Sequence, residues 1–126
     1  MNVSPEELLA RFLFNKDIRA DISIKPEPFM PFPHLELSVT RQRELSENEI
    51  WTIGKSIAQK REKALAGRAD IQAEVFFSMN LNVVPDPLPD NKNHANVTEW
   101  PREKSEQKSL AQEIAAAAGK AILAPN

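Results

Sequence analysis

Strict alternation of apolar and polar side chains marks the clearest element of the chain, between residues 70 and 84. Every odd position from Ile71 to Val83 is apolar, while most even positions are polar. A period of two places successive side chains on opposite faces of a strand. The pattern therefore predicts one long strand, bent or bulged near Phe76, where an apolar residue interrupts the polar face.

Two shorter alternating stretches predict further strands, one near residues 18–25, which could begin as a broken strand at residue 11, and one over 35–41. The first places Ile18, Ile22 and Ile24 on one face, and the second does the same for its leucines and valine. Charged or hydroxyl side chains fill the opposite face of both. Each strand is therefore expected to lie half-buried in a sheet.

Helical signals lie between and outside these strands. Ser46 and Glu49 have the spacing of a capping box ahead of an apolar stripe, and Gly67 follows that stripe. They predict a helix over about residues 47–65.

Two other helices are predicted near the ends of the sequence. Ser4 to Glu7 combines a capping serine with a proline at the first helical position, which is typical of a short helix start. Pro101 precedes an alanine-rich stripe that predicts a final helix to about residue 122.

Together these elements predict an α+β fold. We expect a mixed or antiparallel sheet of three to four strands, with two main helices packed on one face. The strand over 35–41, the helix after it and the strand over 70–84 form a β-α-β unit. A chain of 126 residues fits a single domain over 1–126.

Proline is the unusual residue, with ten prolines against three glycines. Most of the prolines fall in two segments, 26–33 and 85–101. Proline fixes φ and removes an amide donor, so both segments are expected to be extended and outside central sheet pairing. Extended segments of this kind can present side chains to a protein partner.

Composition and charge exclude several classes of protein. The formal net charge is −2 and there is no cysteine, so a disulfide framework, a thiolate metal site and a cysteine nucleophile are excluded. The chain has no apolar run of the roughly 18 residues needed to span a membrane. Its first residues do not match a secretion signal. We therefore expect a cytoplasmic protein without membrane contact.

His94 is the main candidate for chemistry. It lies in a polar stretch where Asp90 or Glu99 could orient its ring, as a general acid or base requires. Equally, it could fix the turn into the last helix by a hydrogen bond to the backbone. His34 is the only other histidine and no ligand spacing is present, so neither a metal nor a cofactor is expected.

A basic cluster is the second candidate site. It comprises Lys55, Lys60, Arg61 and Lys63 near the end of the predicted central helix. Such cations can bind nucleic acid, or they can complement the helix dipole on an exposed face. No aromatic residue is interleaved with them in the sequence to stack bases, which disfavours nucleic acid.

Three groups of residues carry a family pattern. They are Leu37-Ser38-Val39-Thr40-Arg41 with Leu45-Ser46-Glu47 and Glu49-Ile50-Trp51, then Gly67-Arg68-Ala69-Asp70, and finally His94-Ala95-Asn96-Val97 with Trp100-Pro101 and Gln107-Lys108. The chain from roughly Arg11 to Ala118 thereby resembles an uncharacterised group of small, stand-alone bacterial proteins. The resemblance implies a bacterial single-domain protein and supplies no catalytic residues.

These observations favour a non-catalytic accessory protein that binds a protein partner. The expected binding residues are His94, Asn96 and Trp100, with Arg68 and Asp70 close by. The alternative is a small enzyme or nucleic-acid-processing component that uses His94 as acid or base, in which case His94 should share a cleft with Arg68, Asp70 or His34. The sequence specifies neither the partner nor the oligomeric state.

Overall fold

The computed structural model describes residues 2–125 and confirms the α+β class. Its strands form one antiparallel sheet in the order β4-β5-β2-β1-β3-β6. The strands are β1 (Leu8–Phe14), β2 (Leu37–Arg41), β3 (Leu65–Gln72), β4 (Asn82–Pro85), β5 (His94–Thr98) and β6 (Ile122–Leu123). The α-helices are α1 (Glu47–Lys60), α2 (Ala73–Ser78) and α3 (Lys104–Ala118), and short 3-10 turns cover Asn15–Asp17 and Glu27–Phe29.

The predicted count of three to four strands is wrong, because the described part of the chain forms six. Part of the difference is β1, where a helix start was expected. A local turn does form, in which the Ser4 amide donates to the Glu7 carboxylate at 3.1 Å. The chain then continues as a strand that buries Leu9 on one face and Phe12 on the other. Burial on both faces produces a continuous apolar run instead of alternation.

The single long strand predicted over 70–84 is also wrong. The chain forms β3, turns through the short helix α2, and returns as the edge strand β4. Phe76, expected at a bend, lies within α2 and is completely buried. A helical turn places its ring against the core, which a continuous strand would not do. The strand predicted near 18–25 is reduced to two isolated bridges, one between Ile18 and Ile24 and one between Ser23 and Lys120.

Helices cover both faces of the sheet, so the prediction of two helices on one face is wrong. On one face α1 packs over β1 and β3 through Ile50, Phe12 and Ala10. The larger core lies on the opposite face, beneath α2 and α3. β2 and β3 run parallel, because each is antiparallel to β1, which lies between them. The β-α-β unit is therefore split by one strand.

Gly54 allows the close approach of α1 to β1. A Cβ atom at this position would lie 2.5 Å from the Phe12 ring. The capping box is confirmed: the Glu49 amide donates to the Ser46 hydroxyl at 3.2 Å, and the Ser46 amide donates to the Glu49 carboxylate at 2.9 Å. The helix ends at Lys60, earlier than predicted, because β3 begins at Leu65.

The two proline-rich segments depart from expectation in different ways: the first is not fully extended, and the second contributes a strand that is paired on both sides. Segment 26–33 contains the turn Glu27–Phe29 and buries Pro28 and Phe29. Segment 85–101 contains β5, which pairs with both β4 and β2. Its prolines instead lie around the edge strand, where a missing amide costs no ladder hydrogen bond. Within residues 2–125, no helix combines the length and the apolarity that a membrane crossing requires.

Candidate functional site

Among residues 2–125, no helix covers the half of the α1-bearing sheet face that lies beyond α1, on β2, β5 and β4. Thr40 of β2 pairs with Ala10 of β1, so its side chain lies on the same sheet face as Ala10 and α1. The strand register identifies the residues of β5 and β4 that lie on this face. Thr40 and His94 lie at one end of this face, and we define the open face by the five other side chains that β2, β5 and β4 present on it: Ser38, Asn82, Val84, Asn96 and Thr98. None of the five is charged, and Ser38, Asn82 and Val84 are exposed.

The loop from residue 86 to residue 93 closes one end of the open face. Its Asn91 is buried and donates to the Thr40 hydroxyl at 3.0 Å. Asp90 forms a salt bridge with Lys60 at the end of α1. The Asn93 side chain donates to the carbonyl of Arg41 at 2.9 Å. These contacts hold the loop against both the sheet and α1.

His94 and Asn96 come together at this end, around Asp86. His94 Nδ1 lies 2.9 Å from the Asp86 carbonyl oxygen and 3.3 Å from its carboxylate. The Asn96 amide donates to the same carboxylate at 3.1 Å. Asp86, and neither Asp90 nor Glu99, therefore orients the ring. Sequence reasoning missed Asp86 because only the pairing of β4 with β5 brings it opposite His94.

Arg68 and Asp70 belong to a separate cluster at the start of α1. Arg68 is 3% exposed, lies 4.7 Å from the Trp51 ring centre, and bonds at 2.8 Å to both Glu47 and Asp70. Burial opposes its charge, but these carboxylates outweigh that cost and raise the pKa of Arg68. The cluster ties α1 to β3. Strands β2 and β1 separate it from His94.

Trp100, the remaining predicted binding residue, and His34, named in the acid/base alternative, both lie apart from His94. Trp100 is 5% exposed, belongs to the core on the opposite face, and donates its indole N–H to the Val97 carbonyl at 2.9 Å. His34 is exposed and precedes β2. His94 instead lines a small hollow with Ser38, Arg11 and Arg61. It does not have the neighbours that the acid/base interpretation requires.

A second feature lies where β1 and β2 separate. The two strands pair only at Leu9 and Ala10, and the Arg11 guanidinium fills the gap beyond. Its Nε donates to the Pro28 carbonyl at 2.9 Å, and its Nη1 donates to the Ser38 carbonyl at 3.0 Å. Burial, assisted by the charge of Arg61, lowers the pKa of Arg11 to about 10.

We call the hollow beside this guanidinium the Arg11 cleft. It has a volume of about 190 Å³ and adjoins the smaller hollow of about 40 Å³ that reaches His94. Its charged lining residues are Arg11, Lys16, Asp17, Glu27, Arg61 and Lys63. Phe12, Phe14 and Phe32 supply its aromatic surface.

The structure divides the predicted basic cluster. Lys60 is paired with Asp90, whereas Lys55 is exposed on α1. Arg61 and Lys63 turn toward the Arg11 cleft, 5.8 and 5.1 Å from the centre of the Phe14 ring. Aromatic rings therefore do accompany these cations, although they come from distant parts of the sequence.

Among residues 2–125, no group of three or more histidine and acidic side chains is placed to hold a metal ion. Neither a protein-family model, nor a curated protein, nor a solved structure matches the chain. The protein is therefore characterised by its fold alone. It is an α+β protein with one antiparallel sheet, and in the described residues half of one sheet face has no helix on it.

Proposed function

We propose that the chain is a non-catalytic accessory protein of the bacterial cytoplasm that binds a protein partner on the open face. The observation that carries the proposal is this uncovered half-face together with the free edge of β4. The cytoplasmic location is supported by the cysteine-free sequence. The bacterial origin is supported by the resemblance in residues 11–118.

The chemistry of the open face favours protein over nucleic acid. Its serine, asparagine and threonine side chains offer hydrogen bonds, and Val84, 42% exposed, offers an apolar contact. None of the five defining side chains is a cation that could neutralise a phosphate. Uncharged polar side chains around an apolar contact are typical of a protein interface.

The edge strand favours an extended segment as the binding element. β4 is the terminal strand of the sheet, and in the described residues no strand pairs with its outer side. An exposed edge binds an added strand through main-chain hydrogen bonds. Pro85 has no amide, so the added strand would pair with Asn82 to Val84 and place a side chain beside Val84.

The test is capture of a stoichiometric protein from the source bacterium, followed by titration of that purified protein. We expect Val84→Glu and Asn82→Glu each to weaken binding at least tenfold, because each buries an unpaired charge in the interface. His94→Ala should weaken it less, since His94 is 11% exposed and acts by holding Asp86. Gln112→Glu on α3, an exposed position on the opposite side, is the matched control.

Hydrogen exchange of the complex locates the surface independently. Amides of β4 and β5 should gain protection on binding, while those of α3 should not. Unchanged affinity in both open-face variants, or protection confined to α3, would refute the proposal.

A further inference from the structure

The side chains that line the Arg11 cleft carry more positive charge than negative charge. Of its six charged lining residues, four are cations and two are acids. Within the described chain, none of Arg11, Lys16, Arg61 and Lys63 forms a salt bridge. The cleft is therefore locally positive, although the net charge of the whole chain is −2.

The two acids offset the positive charge only in part, although Asp17 acts electrostatically on Arg11. Asp17 is buried, and its carboxylate accepts the Phe14 amide at 2.8 Å, which commits it to the turn after β1. Glu27 is exposed at the rim and pairs with none of the four cations. The cleft is therefore complementary to an anion.

Arg11, which is half-buried, differs from the two buried arginines of the sheet. Arg41 bonds to the Glu7 carboxylate, and Arg68 bonds to Glu47 and Asp70. Arg11 donates only to two neutral carbonyls. A guanidinium held in place by carbonyls, beside a hollow, is pre-organised for a charge-assisted hydrogen bond to an incoming anion.

Phe32 adds a second recognition element at the same place. Its side chain is 84% exposed and lines the cleft. An exposed ring beside unpaired cations is the arrangement by which proteins stack a nucleobase and hold its phosphate. The cleft, at about 190 Å³, is smaller than the roughly 300 Å³ at which pockets for whole ligands begin. A phosphate fits inside it, and an attached ring would lie at the rim on Phe32.

We infer that the Arg11 cleft binds a nucleoside phosphate, with the phosphate between Arg11, Arg61 and Lys63 and the base stacked on Phe32. This site adjoins the open face at Ser38, but it has its own lining residues and does not depend on the protein partner proposed there. The same chemistry is offered by a free mononucleotide and by one unit of a single-stranded nucleic acid.

The experiment is calorimetric titration of the full chain with adenosine monophosphate, adenosine and inorganic phosphate, beside anisotropy of a labelled twelve-residue oligothymidylate. We expect saturable binding of the monophosphate or the oligonucleotide, and none of adenosine. Tighter binding of the oligonucleotide would identify a nucleic-acid strand as the source, and tighter binding of the monophosphate would identify a free nucleotide. Absence of saturable binding by both would overturn the inference.

Variants separate the two recognition elements without disturbing Arg11, whose removal would open the gap between strands. The double variant Arg61→Ala with Lys63→Ala should weaken the monophosphate and inorganic phosphate at least tenfold. Phe32→Ala should weaken the monophosphate about tenfold, through lost stacking, and leave inorganic phosphate unchanged.

The matched control removes two exposed cations elsewhere, Lys104→Ala with Lys108→Ala on α3. It should retain full affinity. An equal loss in this control would show general electrostatic attraction and overturn the site, and an unchanged Phe32→Ala titration would overturn recognition of the base.

Discussion

Two buried arginines form ion pairs between segments that are distant in the sequence. Arg41 joins β2 to the turn before β1 through Glu7, and Arg68 joins β3 to α1 through Glu47. In the described residues, every buried side-chain nitrogen and oxygen has a hydrogen-bond partner. Such pairs contribute to stability while both partners are present, and removal of the carboxylate leaves the arginine buried with its charge less well paired.

Glu7→Gln is expected to lower the free energy of unfolding by about 2 kcal/mol at pH 7, the usual value for a hydrogen bond to a charged group. Burial opposes ionisation of Glu7, but its bonds to Arg41 and to the Ser4 amide lower its pKa below 4.5. The stabilisation is therefore present above that pH and lost as the pH falls through the lowered value. Urea titrations from pH 7 to pH 3 measure the difference.

The exposed neighbour Glu6→Gln serves as the control and should change the free energy of unfolding by less than about 0.5 kcal/mol. A Glu7→Gln deficit that stays constant down to pH 3 would show that the ion pair is not its cause.

Elements set by local signals could be predicted from the sequence, and elements set by burial could not. The α1 capping box needs only Ser46 and Glu49, and β2 needs only its own alternation. β1 and the turn of helix at α2 are fixed by what packs on them from elsewhere in the chain. Their apolar runs fit more than one element, because local propensity is a weak constraint beside tertiary contacts.

The two candidate sites also combine residues that a local pattern can single out with residues that only the fold brings together. His94 and Asn96 could be singled out because both belong to one polar stretch, whereas Asp86 joins them only across a strand pair. Phe32 and Lys63 line one cleft although about thirty residues separate them in the sequence. No local sequence pattern predicts that Phe32 and Lys63 line the same cleft.

Gly54→Ala is expected to destabilise the protein by about 1–3 kcal/mol through overpacking. In an ordinary helix interior, alanine is about 1 kcal/mol more favourable than glycine. Here the added Cβ atom would lie 2.5 Å from the Phe12 ring, so α1 or the ring must move. Thermal and urea unfolding measure the effect.

Phe12→Leu provides the partner for a double-mutant cycle. The smaller side chain should remove most of the Gly54→Ala penalty, which would appear as a favourable coupling energy. A Gly54→Ala protein more stable than the parent would refute close packing of α1 on β1.

At the scale of the whole molecule, stability is expected to fall from the middle of the sheet toward its edges. β1 lies between β2 and β3 and buries Leu9, Ala10 and Leu13 completely. β6 pairs along one side only, and its Leu123 is 55% exposed. Elements with few buried contacts open first.

Hydrogen exchange of the free protein measures this gradient. Amides of β1 should exchange at least tenfold more slowly than those of β6, because β1 opens only when the sheet as a whole unfolds. Equal rates in the two strands would show that the sheet opens as one unit.

The central position of β1 has a consequence for synthesis. This strand is made before both of its partners, and its pairings with β2 and β3 require residues as late as Arg41 and Gln72. Until the ribosome has released that length, Phe12, Leu13 and Phe14 have no strand beside them. A nascent chain stalled before residue 72 would expose its most apolar segment to chaperones and proteases, so the cell can distinguish unfinished copies from complete ones.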